Sequence, residues 1–328
     1  MTLRAELISD GGAAASSEEF FRSRPFLDAE GVTHTLRIEG DGAGLVAPLV
    51  VREIPASDGE RDAISPYGYP GIVAASDFVG AIGRTKSAAP IDRPTAAIDP
   101  GAVDFSATGL VSVFLRHTLG EPPLAGAAER NVVQIADPGL PPKSRSSDRN
   151  RINRNRRDGY EVELLPGPET SAEQRAGFLA AYEQTMRRAG AAERYFFAAA
   201  YFDRILESER AWLALARAPG GEVAAASIAT RSDGFLHYYL SGSADAHLRD
   251  SPMKNVVAAL VELSTEQGLP LNLGGGLSRG DRLEEFKRGF ANREQAWHTS
   301  EIVCDAEAHA RLAAGYDSTG FFPVYRSS

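Results

Sequence analysis

Three glycines and a lysine stand close together in LNLGGGLSRGDRLEEFKRGF, which runs from Leu271 to Phe290. The stretch reads as a short buried strand, the run Gly274, Gly275, Gly276, a polar loop, and a helix opened by Asp281 that carries Phe286 and Lys287. Glycines directly after a strand let the backbone approach another molecule closely, because no Cβ stands in the way. A lysine on the helix that follows can offer a compact positive charge to phosphate, or to an oxyanion forming in a reaction. The plainer reading of the same residues is a strand–turn–helix corner with a solvated lysine.

A second group of chemically capable residues is KSRSSDRNRINRNRRDGY. Between Lys143 and Arg157 it holds seven basic residues and one acid, Asp148, in a chain of net charge −9. Arg145, Arg149 and Arg156, spaced by four and then seven residues, fall near one face of a helix and suit contact with a few phosphates. Asn150 and Asn153 flank them with amides able to hydrogen-bond a ligand. The competing reading is a solvated, charge-laced helix whose arginines pair with acids elsewhere in the fold. PYGYPG, Pro66 to Gly71, sets the hydroxyls of Tyr67 and Tyr69 on a rigid turn, or packs them on a sheet edge. HYYLSGS places His237, Tyr238, Tyr239 and Ser241 on one strand. Alternation sends His237 and Tyr239 to one face and Tyr238 to the other, with His237 the better candidate for a satisfied core histidine. Zinc spacings, HExxH, GxSxG and a Walker loop are all missing, so no metal is expected.

Elements of defined order must position these groups. Residues 1–18 read as a small, polar, disordered N-terminus. THTLRIEG and GLVAPLVVREI are two strands joined by a hairpin turn at Gly40, Asp41 and Gly42. Residues 71–83 fit either helix or strand, as does Leu110 to Leu119; VVQIAD is a strand, and PGLPP is a breaker. The basic run forms a helix from Ser147 to Arg157, capped by Ser146 or Ser147 and ended by Asp158 and Gly159. YEVELLPGP follows as a strand and turn. Ser171 opens a helix with a capping box, and a second helix covers Ala198 to Ser208. Three strands, a helix begun by Pro252, a strand, the Asp281 helix and a strand from Trp297 to Cys304 complete the chain. The pattern predicts an α/β protein with mixed sheets flanked by helices: a first domain at 19–142, a basic helical segment at 143–160, and a second domain at 161–328.

The chain's 328 residues suit two domains rather than one. A single cysteine, Cys304, excludes an internal disulfide and a cysteine-based zinc site, and its apolar surroundings make it a buried small hydrophobe. The first residues lack the order of a signal peptide and no apolar run spans a bilayer, so the expected location is the cytoplasm. An acidic body with one basic segment suits a small number of phosphates rather than general coating of DNA.

These blocks, in this order, resemble the FemAB-like branch of the GNAT acyltransferase superfamily, over roughly Pro66 to the C-terminal FFPVYR. The resemblance implies two tandem GNAT-like domains with a cleft between them. It also implies transfer of an amino acid from aminoacyl-tRNA to an amine of a peptidoglycan precursor or small peptide natural product. By the same resemblance Lys287, preceded by Phe286, meets the 3′ end of the aminoacyl-tRNA and the reacting carbonyl, so these two are the catalytic candidates. Arg145, Arg149, Asn153, Arg156 and the three glycines are candidates for the donor. Tyr67, Tyr69, Tyr238 and Ser241 are candidates for the acceptor. Ordinary GNAT enzymes hold coenzyme A pyrophosphate on a Q/R-x-x-G-x-G/A loop, whereas here the corresponding ADAHLRDSPMKNV has no glycine, and Pro252 lacks an N–H. No cofactor is expected beyond aminoacyl-tRNA as co-substrate. Coenzyme A enters only under the alternative of an acyl-CoA-dependent N-acyltransferase. The second alternative is a non-catalytic module that binds a phosphorylated ligand.

Overall fold

A computed structural model describes residues 3–16, 18–40, 43–55, 57–74, 98–317 and 320–327. The chain divides into two compact units, Met1–Arg130 with Trp297–Ser328, and Asn131–Ala296. This differs from the boundaries read from sequence. The basic segment belongs inside the second unit, and the last residues return to the first.

In the first unit, β1 (Leu3–Ile8) is followed by α1 (Arg24–Ala29), β2 (His34–Gly40), β3 (Ala43–Glu53), β4 (Arg61–Ile64), β5 (Val73–Ala74), β6 (Val103–Asp104) and β7 (Ser112–Arg116). The expectation of a disordered stretch at 1–18 fails at β1. LRAELI pairs antiparallel with β2 from Arg4 opposite Glu39 to Ile8 opposite Thr35, and Ala5 is fully buried. Two of the hairpin residues, Asp41 and Gly42, and most of 71–83 lie outside the described residues. The ambiguous Leu110 to Leu119 is settled as strand β7, where Val113 and Leu115 enter the core with Leu36, Leu49 and Ala63.

The second unit takes in the end of β8 (Ala128–Ala136). It continues through α2 (Ser146–Arg157), β9 (Glu161–Pro166), α3 (Ala172–Ala189), α4 (Ala199–Ile205), β10 (Ala211–Arg217), β11 (Val223–Ser232), β12 (Phe235–Ser243), α5 (Met253–Gln267), β13 (Leu271–Asn272), α6 (Arg282–Arg288) and the start of β14 (Arg293–Val303). The order of helices and strands from α3 to β14 matches the one read from sequence. The strands lie in the order β8-β13-β12-β11-β10-β9, antiparallel except for β12 against β13. After β14 the chain re-enters the first unit. Thr299 to Val303 pair antiparallel with β7, and α7 (Ala306–Ala313) follows. The terminal FFPVYR is structural there. The Tyr325 hydroxyl lies 2.8 Å from Ser112 Oγ, and Arg326 joins Arg52 on the fully buried Asp62.

Local chemistry explains the element ends. Ser171 accepts from Gln174 N while Gln174 accepts from Ser171 N, so the predicted capping box is complete. The expected serine cap on α2 is absent, because Arg145 occupies the cap position and makes no side-chain cap bond. Helix α3 is seated on β12 at Gly242. A Cβ there would stand 2.4 Å from the carbonyl oxygen of Ala181 and from the backbone of Tyr182. Gly242→Ala should therefore destabilise the second unit by roughly 1–3 kcal/mol or more, the range for overpacking. The left-handed cap Gly190 faces open space, so Gly190→Asn should cost far less. Urea midpoints of the two variants give the comparison, and equal midpoints would show that α3 does not rest on β12 in this way.

Candidate active site

Parallel pairing between β12 and β13 covers two residue pairs, Leu236 with Leu271 and His237 with Asn272. Beyond them the chain leaves the strand at Leu273 and Gly274, while β12 continues through Tyr238 to Ser243. His237 closes the inner end of this divergence. It is buried, its Nδ1 accepts from Asn272 Nδ2 at 3.1 Å, and its Nε2 donates to Ser232 O at 3.2 Å. Both ring nitrogens are thus used by a neutral imidazole. Burial pushes its pKa down to about 4, only partly opposed by the Ser232 carbonyl and Asp233. It is the core histidine expected from the sequence.

Lys287 projects to the turn that follows β13. Its Nζ donates to Gly275 O at 2.6 Å and stands 6.0 Å from the centre of the Tyr238 ring. The side chain is 8% exposed, and burial lowers its pKa to about 8 against the opposing pull of Asp281. Its ammonium is therefore mostly charged at neutral pH and is lost just above it. Burial pushes the Tyr238 phenol up to about 12, with the Ser241 hydroxyl pulling the other way, so it stays a neutral hydroxyl. Lys287, Tyr238, Ser241 and the three glycines, picked out separately in the sequence, are thus placed around one corner of the sheet.

The glycines have a more local reason than close approach of a ligand. Gly274 has φ +76°, and a Cβ on it would lie 3.1 Å from Lys287 Nζ. A Cβ on Gly275 would stand 2.3 Å from Asn131 Nδ2, and one on Gly276 would stand 2.4 Å from Asp281 Oδ1. The turn is filled by the chain's own side chains. Gln134 N donates to Gly274 O and Asn131 Nδ2 to Gly276 O. The sequence did not bring out Asn131 and Gln134. They reach the turn from β8, far away along the chain, and carry no local signal. Phe286 lies partly buried against the apolar core of the unit, 5.7 Å from the Phe290 ring, and anchors α6.

The basic helix adjoins α6. A Cβ on Gly289 would stand 2.7 Å from Asp148 Oδ2, and Arg145 lies 3.5 Å from Glu285. Arg156 lies 3.5 Å from Glu262, Arg151 3.7 Å from Asp250, and Arg149 donates to Ser144 O. The counter-charges missing within the run are thus supplied by other elements. The Arg145 and Arg156 pairs are solvent-exposed, so each contributes about 0–1 kcal/mol. Asn153 is exposed. In the first unit, Tyr67 N donates to a Glu30 carboxylate oxygen, and the Tyr69 ring packs between Phe21 and Trp297 at 5.5 and 5.3 Å.

The segment that would cradle coenzyme A is occupied by carboxylates. Asp250 accepts from the Tyr160 hydroxyl at 3.2 Å and pairs with Arg151, Asp245 pairs with Arg188, and Asn155 holds the Asp250 carbonyl at 2.8 Å. Pro252 begins α5 without a side-chain cap. Asp250 lies just before α5 and Asp245 opens a short 3-10 turn ahead of it, each paired with an arginine.

Residues 142–288 match the Acetyltransferase (GNAT) domain family. Among solved structures the chain is similar to FemX, at 9% identity over 92% of this chain and 96% of that one, with a TM-score of 0.61. It is also similar to the C-terminal domain of a putative lysylphosphatidylglycerol synthetase from Agrobacterium fabrum. That match is at 13% identity, covers 80% of this chain and 82% of that one, and has a TM-score of 0.47. No curated protein sequence matches the chain. No helix among the described residues is long and apolar enough to cross a membrane.

The neutral His237 has a measurable consequence. Its folded pKa of about 4 lies below the ordinary 6.5, so its contribution to stability is present above pH 6.5 and shrinks as pH falls toward 4. His117, also lowered to about 4 by burial, adds a slope of the same sign in the first unit. His237→Gln should flatten the acid side of the stability profile relative to the parent, and parallel profiles from pH 7 to 4 would remove His237 as a source. The second unit thus carries the match to the Acetyltransferase (GNAT) domain family, and the fold of the chain is similar to that of FemX.

Proposed function

We propose that the chain moves an amino acid from aminoacyl-tRNA to an amine, forming an amide on a peptidoglycan precursor or small peptide. The observation that carries this reading is the Lys287 ammonium, buried at the divergence of β12 and β13, next to the arginine-bearing α2. An aminoacyl ester is already activated, so the reaction asks for positioning and for stabilisation of charge rather than for a covalent nucleophile. The acceptor nitrogen attacks the ester carbonyl, and negative charge gathers on its oxygen opposite Lys287. The carbon–oxygen bond to the tRNA ribose then breaks, and the proton lost by the amine ends on that ribose oxygen. Tyr238 and Ser241 line the same corner as candidate acceptor contacts, with Tyr67 and Tyr69 as further candidates in the first unit. Arg145, Arg149, Asn153 and Arg156 would hold donor phosphates. The lack of a glycine between Ala244 and Val256, and of an N–H on Pro252, favours an ester donor over acyl-CoA, and dependence on charged tRNA would place the protein in the cytoplasm.

A pool of charged tRNAs carrying labelled amino acids, incubated with the protein and candidate amines, should show consumption of a restricted set of esters. Acetyl-CoA at millimolar concentration should leave the melting temperature unchanged. A ligand at 100 times its dissociation constant would add about 2.7 kcal/mol, so a clear shift would transfer the reading to acyl-CoA.

Lys287→Ala should lower the transfer rate by about 10²–10³ with the fold intact, the cost of one preorganised donor. The parent's activity should fall as pH rises through about 8, where Lys287 loses its proton. Lys287→Arg should lose that limb, and an unchanged limb would assign it elsewhere. Replacing Arg145, Arg149 and Arg156 together by Ala should flatten the salt dependence of tRNA binding. Each phosphate contact contributes a slope of roughly −0.7 to −0.9 in log K against log salt. An unchanged slope would leave α2 as structure.

A further inference from the structure

We infer that Asp281 is the positioning residue of this site, fixing both the place and the charge of Lys287 by clamping the triple-glycine turn to the start of α6. The inference rests on the proposed role of Lys287, but its geometry stands apart from that role. One carboxylate serves the whole loop. Its Oδ1 caps α6 by accepting from Glu284 N at 2.8 Å. Its Oδ2 accepts from Leu277 N at 2.7 Å and from Ser278 N at 3.0 Å. Gly276 lies so close to Oδ1 that no side chain fits between them. Asp281 therefore holds the turn from its far end, while Lys287 holds the middle of the same turn through Gly275 O. The two side chains leave α6 nearly two turns apart and grip one loop, so displacement of either moves the other's anchor.

Charge adds to geometry. Three backbone donors keep Asp281 ionised, its pKa lowered by these bonds. Its negative charge opposes the loss of the Lys287 proton caused by burial. Other charged and titratable groups lie around α6. Glu284 is buried and engaged by Arg288 and by Gly280 N, and Arg288 also reaches Glu294. Glu285 is turned to Arg145, and the neutral Tyr238 phenol stands on β12. Asp148 is neutralised by Lys254 at 2.7 Å. Asp281 is the acid whose charge bears on Lys287.

The test uses the full chain labelled at lysine Nζ, with Asp281→Asn, Asp281→Glu and Asp281→Ser. The titration of Lys287 is read by NMR, together with amide exchange of Leu277 and Ser278. In Asp281→Asn the Lys287 midpoint should fall by about half a pH unit or more, as expected on removing a nearby opposite charge. The alkaline limb of activity should move down with it, and the two amides should exchange faster. Asp281→Glu should restore the midpoint toward that of the parent. Asp281→Ser keeps a cap without the charge and should match Asp281→Asn, so the comparison survives if either variant folds poorly. A folded, uncharged variant with an unmoved Lys287 midpoint overturns the inference. An activity indifferent to Lys287→Ala, alongside a shifted midpoint, would instead overturn the catalytic reading of Lys287 and leave the clamp in place.

Discussion

Brevity of pairing between β12 and β13 sets the terms for the second unit. Two parallel register pairs join them, and the chain then leaves β13 while β12 runs on for six more residues. A longer β13 would have covered Tyr238 and Ser241 with backbone and left no corner for Lys287. The register ends where Asn272 turns its side chain to two tasks, with Nδ2 on His237 and Oδ1 on Gly274 N. The left-handed Gly274 then turns the backbone out of the sheet. A polar pair at the last register position and a glycine two residues beyond it open the site.

Inside that corner the balance of charge is narrow. Burying an ammonium costs several kcal/mol, and a charge-assisted hydrogen bond to a carbonyl returns about 1.5–3 kcal/mol. The Gly275 carbonyl alone does not offset burial, and the lowered pKa records the deficit. The ring of Tyr238, at the limit of cation–π distance, adds a little. A lysine held this way is poorly satisfied by its own protein. A negative oxygen arriving beside it would be the partner it lacks, which is the energetic sense of a preorganised site.

Much of the second unit was legible because its signals are local. The capping box at Ser171 and Pro252 at the start of α5 act within a few residues. The element order from α3 to β14 followed from them. Long-range pairing was not legible. LRAELI looked like a frayed tail until its partner β2 was known, and nothing local says that residues 299–303 belong beside β7. At the site, Lys287 and the glycines stood out by type and spacing. The sequence read the glycines as room for a ligand, whereas Asn131 and Asp281 already fill the space beside them. The arginines of α2 looked unpaired because their acids sit on α5, α6 and the loop at Asp250, more than 90 residues downstream.

The return of the chain to the first unit orders events during synthesis. Residues 131–296 form one contiguous unit and can fold as soon as they have emerged from the ribosome. The first unit, although made first, must wait. Its strand β7 obtains the Thr299 to Val303 partner, and its buried Asp62 obtains Arg326, only when the last residues appear. During that interval β7 presents an unpaired edge and Asp62 has Arg52 but lacks its second cation, which is the state most exposed to wrong pairing. The earlier-made half of this protein is therefore the later to mature.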